Sequence, residues 1–260
     1  MSVQLLDKTR VFNKLLYDNP ENVFSFSDIA SVLSQILESQ SLILSRKGKV
    51  LGIGESEQVS EIQEYLRIAK GEFINTQLNE RLLNILSTKE NINLSTLGFS
   101  NQTTASYYGI VSPIYVAKER LGSLFLYREE KPYDIDDIIL TEFGSTVIGL
   151  EMLRSENEEA KEELRRISVV RSAISTLSYT ELQAILHIFE ELDGTEGILV
   201  ASKIADRVGL TRSVIVNALR KFESAGVIES KSSGMKGTYI KVVNDLVFDE
   251  LAKIRPTMEN

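Results

Sequence analysis

Cysteine is absent from the 260 residues and histidine occurs once. The first absence excludes disulfides, thiolate zinc sites and cysteine nucleophiles; a single histidine excludes most histidine-based metal and triad chemistry. His187 lies in YTELQAILHIFEELDG, where Leu182, Ile185, Leu186, Phe189 and Leu192 recur at helical spacing, so a partly buried structural histidine is expected. No apolar run approaches the ~20 residues that cross a bilayer. The opening MSVQLLDKTRVFNKLL mixes acids and bases where a secretory signal would be greasy, so a cytoplasmic protein without a membrane partner is expected. No GxxxxGK[ST] string occurs, and Gly52-Ile53-Gly54 follows a hairpin strand instead of opening a helix, so no P-loop or dinucleotide site is read. The acids Glu158, Glu159, Glu162 and Glu163 sit on one charged helical segment and read as a solvated face. No catalytic residue, metal ligand or cofactor is assigned, and a protein that is not an enzyme is expected.

What is present suits a folded chain of two domains: 43% hydrophobic residues and a net charge of −8. Leu5, Leu6, Phe12, Leu15 and Leu16 recur at helical spacing within Val3 to Tyr17, and Ser27 to Leu37 repeats the style, predicting two amphipathic helices. SLILSRKGKVLGIG reads as strand, Lys47-Gly48 turn and strand, followed by a helical stretch from about Gln58 through Thr88 with a break near Gly71. YYGIVSPIYVAKERLGSLFLYRE gives an antiparallel pair with Lys118-Glu119-Arg120 between its strands. Asp134 opens a long helix whose start is favoured by Asp134, Asp136 and Asp137 through the helix dipole. Its spacing continues through Phe143, Val147, Leu150 and Leu153 into SENEEAKEELRR, and a further helical start is read at Ser172. Strands framed by helices imply an α+β, sensor-like first domain. The expected division is 1–155 for sensing and dimerisation, 156–171 as a linker helix continuation and 172–260 as a DNA-binding domain.

The stretch Val200 to Val243 carries the most specific signal. Ile204, Ala205 and Val208 give one short helix an inward face, and Gly209 supplies a left-handed stop. Thr211 is the expected N-cap of a second helix, with Val214, Ile215, Ala218, Leu219 and Phe222 on its inner side. Arg212, Ser213, Asn217 and Arg220 then face outward. Arg can fork onto guanine, Asn can bridge adenine, and Ser at a helix start can meet a phosphate or base. Residues 200–241 hold eight cations against three anions, a net +5 inside an acidic chain. Beyond the second helix, Lys231 to Gly237 forms a polar turn between strands, a wing with Lys231 and Lys236 near its tip, suited to phosphate. This is the layout of a winged helix-turn-helix, with Ala201, Ser202, Lys203, Thr211, Arg212, Ser213, Asn217, Arg220, Lys221, Lys231 and Lys236 as candidate DNA-binding residues.

The strings LSYTELQAILHIFEELDG, VASKIADRVGLTRSVIVNALRKFESAGVIES and GMKGTYIKV closely resemble the CodY family of bacterial global transcription repressors. LDKTRVFNKLL, SRKGKVLG, ERLGSLFL and DDIILTEFGSTVIGLEMLR extend the likeness over the whole chain. The resemblance implies an N-terminal GAF domain, a long linker helix and a C-terminal winged helix. It implies a homodimer on double-stranded DNA, at an AT-rich inverted repeat, that mainly represses nutrient-limitation, amino-acid metabolism and virulence-type genes. The implied effectors are isoleucine, leucine or valine, and GTP. Carried onto this chain, the resemblance gives Arg212 and Ser213 the DNA-contact role. It points to Phe26, Ser45, Arg46, Lys47, Lys49 and Glu151 for a nucleotide, and to Phe73, Thr96 and Phe99 for the amino-acid effector. The family's carboxylate-clamping arginine is sought in Ser60 to Arg67, and Glu156 stands where the resemblance calls for a lysine. Two other function classes are carried: an effector-independent dimeric DNA-binding protein, and an enzyme targeted by its winged helix.

Overall fold

The runs SLIL and SLFLY are apolar without alternation, as strands covered on both faces require. The computed structural model, which describes residues 3–17, 25–60, 62, 69–99, 106–192, 194–232, 234 and 237–258, places both runs inside one sheet. The chain divides into two units, Met1–Glu156 and Asn157–Asn260. The first contains α1 (Val3–Tyr17), α2 (Phe26–Leu37), β1 (Gln40–Ser45), β2 (Val50–Gly54), α3 (Thr76–Leu83), β3 (Lys89–Asn93), β4 (Tyr107–Val116) and β5 (Glu119–Glu129). It ends in α4 (Ile135–Ser175), which continues into the second unit.

The antiparallel sheet has the order β2-β1-β5-β4-β3. Ile43, Ile110, Ile114, Leu124 and Leu126 pack with Phe12, Ile29, Leu33, Leu140 and Ile148 of the three helices on one face. Leu42, Leu44, Val111, Phe125 and Tyr127 pack with Ile74, Leu78, Leu82, Leu94, Leu97 and Phe99 on the other. Burying each such side chain contributes about 1.5–3 kcal/mol, and a one-residue slip would exchange the two faces. Ser25 and Asp28 close a capping box at the start of α2. The glycines of Gly52-Ile53-Gly54 let that helix lie on β2: a Cβ at either would overlap the carbonyl of Phe26 or Ala30.

Two sequence expectations change in this unit. The helical stretch expected from Gln58 through Thr88 is, among the described residues, only α3. Asn75 starts it by accepting from the Gln77 and Leu78 N–H groups, and Arg120 stops it by donating to the Leu82, Leu83 and Ile85 carbonyls. Arg120 and Glu119 therefore belong to β5, and the tight turn is Ala117-Lys118, both with positive φ. The polar run KENIN is the edge strand β3, whose charges keep it from pairing further.

Arg128 and Asp137 form a buried ion pair at 2.5 Å. The guanidinium also donates to the Leu37, Lys131 and Pro132 carbonyls and lies 4.1 Å from the Tyr133 ring centre. Asp137 closes the start of α4 as well: its N–H donates to Asp134, and its carboxylate accepts from the Asp134 N–H. Lys8 of α1 approaches the same carboxylate at 3.6 Å.

The second unit comprises the last part of α4, α5 (Tyr179–Glu191), β6 (Glu196–Leu199), α6 (Ala201–Val208), α7 (Arg212–Ser224), β7 (Ile228–Ser232), β8 (Thr238–Val242) and α8 (Leu246–Met258). The further helical start expected at Ser172 does not occur. The helix is unbroken to Ser175, and its Val170 and Ala173 are buried in a core with Ile185, Ile188, Ile215, Phe222, Ile240 and Val247. Polar ties reinforce this end of α4. Arg166 pairs with Asp245, its carbonyl accepts from Asn244, and Arg171 and Lys253 hold the Glu250 carboxyl down to about 2. The antiparallel sheet β6-β8-β7 completes the unit.

Removing one member of a buried pair strands the other charge, at a cost of about 3–5 kcal/mol. Arg128→Met should lower the unfolding free energy of the N-terminal unit by that order in urea titration; a loss below about 1 kcal/mol would show that the pair is dispensable.

Candidate nucleic-acid interface

The helix-turn-helix is built by its apolar positions. Ile204 and Ala205 of α6, with Ile215, Ala218, Leu219 and Phe222 of α7, are buried in one core, and Phe222 meets Phe189 at 6.2 Å. Gly209 ends α6 at φ 68°, a left-handed conformation that L side chains rarely adopt. Thr211 occupies the N-cap of α7 with extended backbone angles, but its hydroxyl pairs with the Ser213 hydroxyl at 2.9 Å in place of capping an N–H. The Thr211 carbonyl instead closes the first turn of α7, accepting from the Val214 and Ile215 N–H groups at 3.1 and 3.4 Å.

Because the apolar residues fix the inner side of α7, Arg212, Ser213, Asn217 and Arg220 are exposed on the other. Ser202 and Lys203 of α6 and Lys231 of β7 are exposed as well. Ala201 is half-buried and packs against the core, and Lys236 lies outside the described residues.

Ion pairing separates the cations into two groups. Arg207 is paired with Glu191 at 3.1 Å. Lys221, expected among the DNA contacts, instead donates to Glu181 at 2.7 Å and to the Thr176 carbonyl at 2.8 Å. Lys221, followed by the Ser178 N–H, holds the Glu181 carboxyl below its ordinary pKa. Among the described residues, Lys203, Arg212, Arg220 and Lys231 have no carboxylate partner. Their charge is uncommitted and faces outward, the arrangement that phosphate neutralisation and base-edge hydrogen bonding require.

In the N-terminal unit, Ser45, Arg46, Lys47 and Lys49 gather at the β1–β2 turn. The Ser45 hydroxyl accepts from the Lys49 N–H at 3.0 Å, and the three cations are exposed, Arg46 lying 3.9 Å from Glu119. Phe26 packs into the helical layer of the core. Glu151 pairs with Arg154 at 3.1 Å, its pKa raised by burial against the opposing pull of that arginine. Of the three residues expected around an amino-acid effector, only Phe99 is in the apolar layer, stacked 6.3 Å from Phe125. Phe73 is 62% exposed beside Lys49, drawn outward by a backbone bridge to that residue, and Thr96 is exposed with its hydroxyl bound to the Asn93 carbonyl. Arg67 lies outside the described residues.

A family model described as the CodY GAF-like domain matches residues 4–176, and one described as the CodY helix-turn-helix domain matches residues 195–255. The chain belongs to the CodY family. A global transcriptional regulator CodY of Caldanaerobacter subterraneus is 49% identical over 253 residues, covering 96% of this chain and 98% of the relative. That of Clostridium botulinum strain Okra is 49% identical over 260 residues, covering 96% and 99%. A solved structure described as the cofactor-binding GAF domain of the nutrient sensor CodY from Clostridium difficile aligns at 31% identity and a TM-score of 0.43, covering 58% of this chain and 99% of its own.

As in the family, a GAF sensor domain and a helix-turn-helix share one chain, and the protein is a transcriptional regulator. Among the described residues no helix is long and apolar enough to cross a membrane. Sequence reasoning missed the Lys221–Glu181 pair because its members stand 40 positions apart and no periodicity links them. It also missed β6, whose EGIL is too short to show alternation before it pairs with β8.

Proposed function

We propose that this CodY-family chain is a cytoplasmic, homodimeric repressor without enzymatic activity, which reads an AT-rich inverted repeat with α7 in the major groove. The observation that carries this reading is the outward, carboxylate-free set Arg212, Asn217 and Arg220 on a helix whose other side is fixed in a core. Arg212 and Ser213, in the first turn of α7, meet base edges or phosphate; Lys203 and the wing lysines meet the backbone.

Dimerisation is supported by α4. Ile135, Ile139, Leu150 and Leu153 are 39–68% exposed. At 100° per residue they fall within about 60° of one another on the helix, opposite the buried Leu140 and Ile148. An apolar stripe of this kind suits a second copy of the chain, and a two-fold dimer matches a palindromic site.

We further propose that the N-terminal unit takes isoleucine, leucine or valine on the Phe99 face of its sheet, and that the β1–β2 turn offers cations to GTP. Ligand binding then shifts the population of dimers whose winged helices match the operator spacing, with α4 carrying the change; this requires different affinities for the two arrangements.

Arg212→Glu should abolish the gel shift of an AT-rich inverted-repeat duplex while the variant still sediments as a dimer; an unchanged shift would refute the interface. Ile139→Asp combined with Leu150→Asp should yield monomers by analytical ultracentrifugation, and persistent dimers would place the seam elsewhere. Calorimetric titration with isoleucine should give saturable heat. No heat with isoleucine, leucine, valine or GTP would favour the effector-independent regulator.

A further inference from the structure

The ammonium of Lys221 joins three elements. Thr176, whose carbonyl it binds at 2.8 Å, directly follows the last residue of α4, where helical carbonyls lack an intrahelical donor. Glu181, bound at 2.7 Å, is the third residue of α5 and closes its capping box by accepting from the Ser178 N–H at 2.8 Å. Lys221 itself lies in the third turn of α7, next to the outward Arg220. Its partner carboxylate is only 11% exposed, so the pair is partly shielded from solvent and salt.

Apolar contacts hold α7 at its depth, but they are non-directional and tolerate small rotations about the helix axis. A charge-assisted hydrogen bond has a fixed length and direction. A rotation of about 10° moves a point on a helix surface of ~5–6 Å radius by about 1 Å, enough to spoil hydrogen bonds to a base edge.

We propose that Lys221 is a positioning residue for DNA recognition: anchored to Glu181 and Thr176, it fixes the rotational setting of α7 and so the aim of Arg212 and Asn217, without touching phosphate itself. This rests on the DNA-binding reading given above.

Glu181→Gln provides the sharpest test, because it removes a negative charge remote from the proposed contacts and retains an oxygen that can accept the Ser178 N–H. The general field then favours tighter binding, whereas loss of position weakens it. Fluorescence anisotropy with a labelled AT-rich inverted-repeat duplex, at a temperature where circular dichroism shows all variants folded, should give about three- to tenfold weaker binding for Glu181→Gln. Lys221→Met should show a similar loss, the double variant should be no weaker than the worse single one, and Lys221→Arg should recover most of the affinity. The slope of log K against log salt should stay within about half a unit of wild type for Glu181→Gln. Unchanged affinity with a lowered Tm would overturn the inference by making the pair merely structural. So would normal binding by Glu181→Gln alongside a slope shallower by about 0.9 in Lys221→Met, which is the mark of a lost phosphate contact. Failure of the wild-type protein to bind any duplex would instead sink the DNA-binding reading and take this inference with it.

Discussion

The N-terminal unit turns on one guanidinium placed where water cannot reach it. Arg128 is buried with Asp137, and an isolated charge there would cost several kcal/mol. The cost is offset because its donors are directed to a carboxylate and to the carbonyls of Leu37, Lys131 and Pro132, while the Tyr133 ring lies against its face. The geometry ties the end of α2, the end of β5 and the beginning of α4 to one point. Since the sheet's helical face is covered by those same helices, the sensor layer and the long helix share a fixed reference.

Charge pairing also sorts the second unit. A cluster of basic residues in sequence shows only that a segment is positive; it does not say which charges are available. Arg166, Arg171, Arg207 and Lys221 are spent on Asp245, Glu250, Glu191 and Glu181, each holding one element against another. The cations left over on the described surface of α6, α7 and β7 form the outward set. The chain as a whole carries −8, so this face departs from the field around it, and the contrast favours one orientation of approach to a polyanion.

How much was legible in the sequence follows from the range of each signal. Ile204, Ala205, Gly209, Ile215, Ala218 and Phe222 are local and periodic, so α6, the turn and α7 could be placed from them alone. The two hairpins were visible because continuous apolar runs flank short turns. The extent of α3 was not legible, since its stop is an arginine 37 positions beyond Leu83 that reaches back to terminal carbonyls. Strand β3 was hidden because an edge strand made of Lys89, Glu90, Asn91 and Asn93 has the composition of a loop until β4 pairs with it. At the effector face, a pattern of aromatics could not say that Phe73 turns out, which its bridge to Lys49 decides, or that Phe99 turns inward after the left-handed Gly98, with its N–H bound to the Leu94 carbonyl.

Residues 156–165 of α4 are exposed on every side, so no core holds that stretch helical. Its side-chain support is local: Lys161 to Glu158 and Arg165 to Glu162, each three residues apart. Pairs of this kind weaken as counterions accumulate, whereas apolar cores do not. The helicity of this exposed stretch therefore rests on its backbone hydrogen bonds, and the small share that each ion pair adds is the part that fades as salt rises.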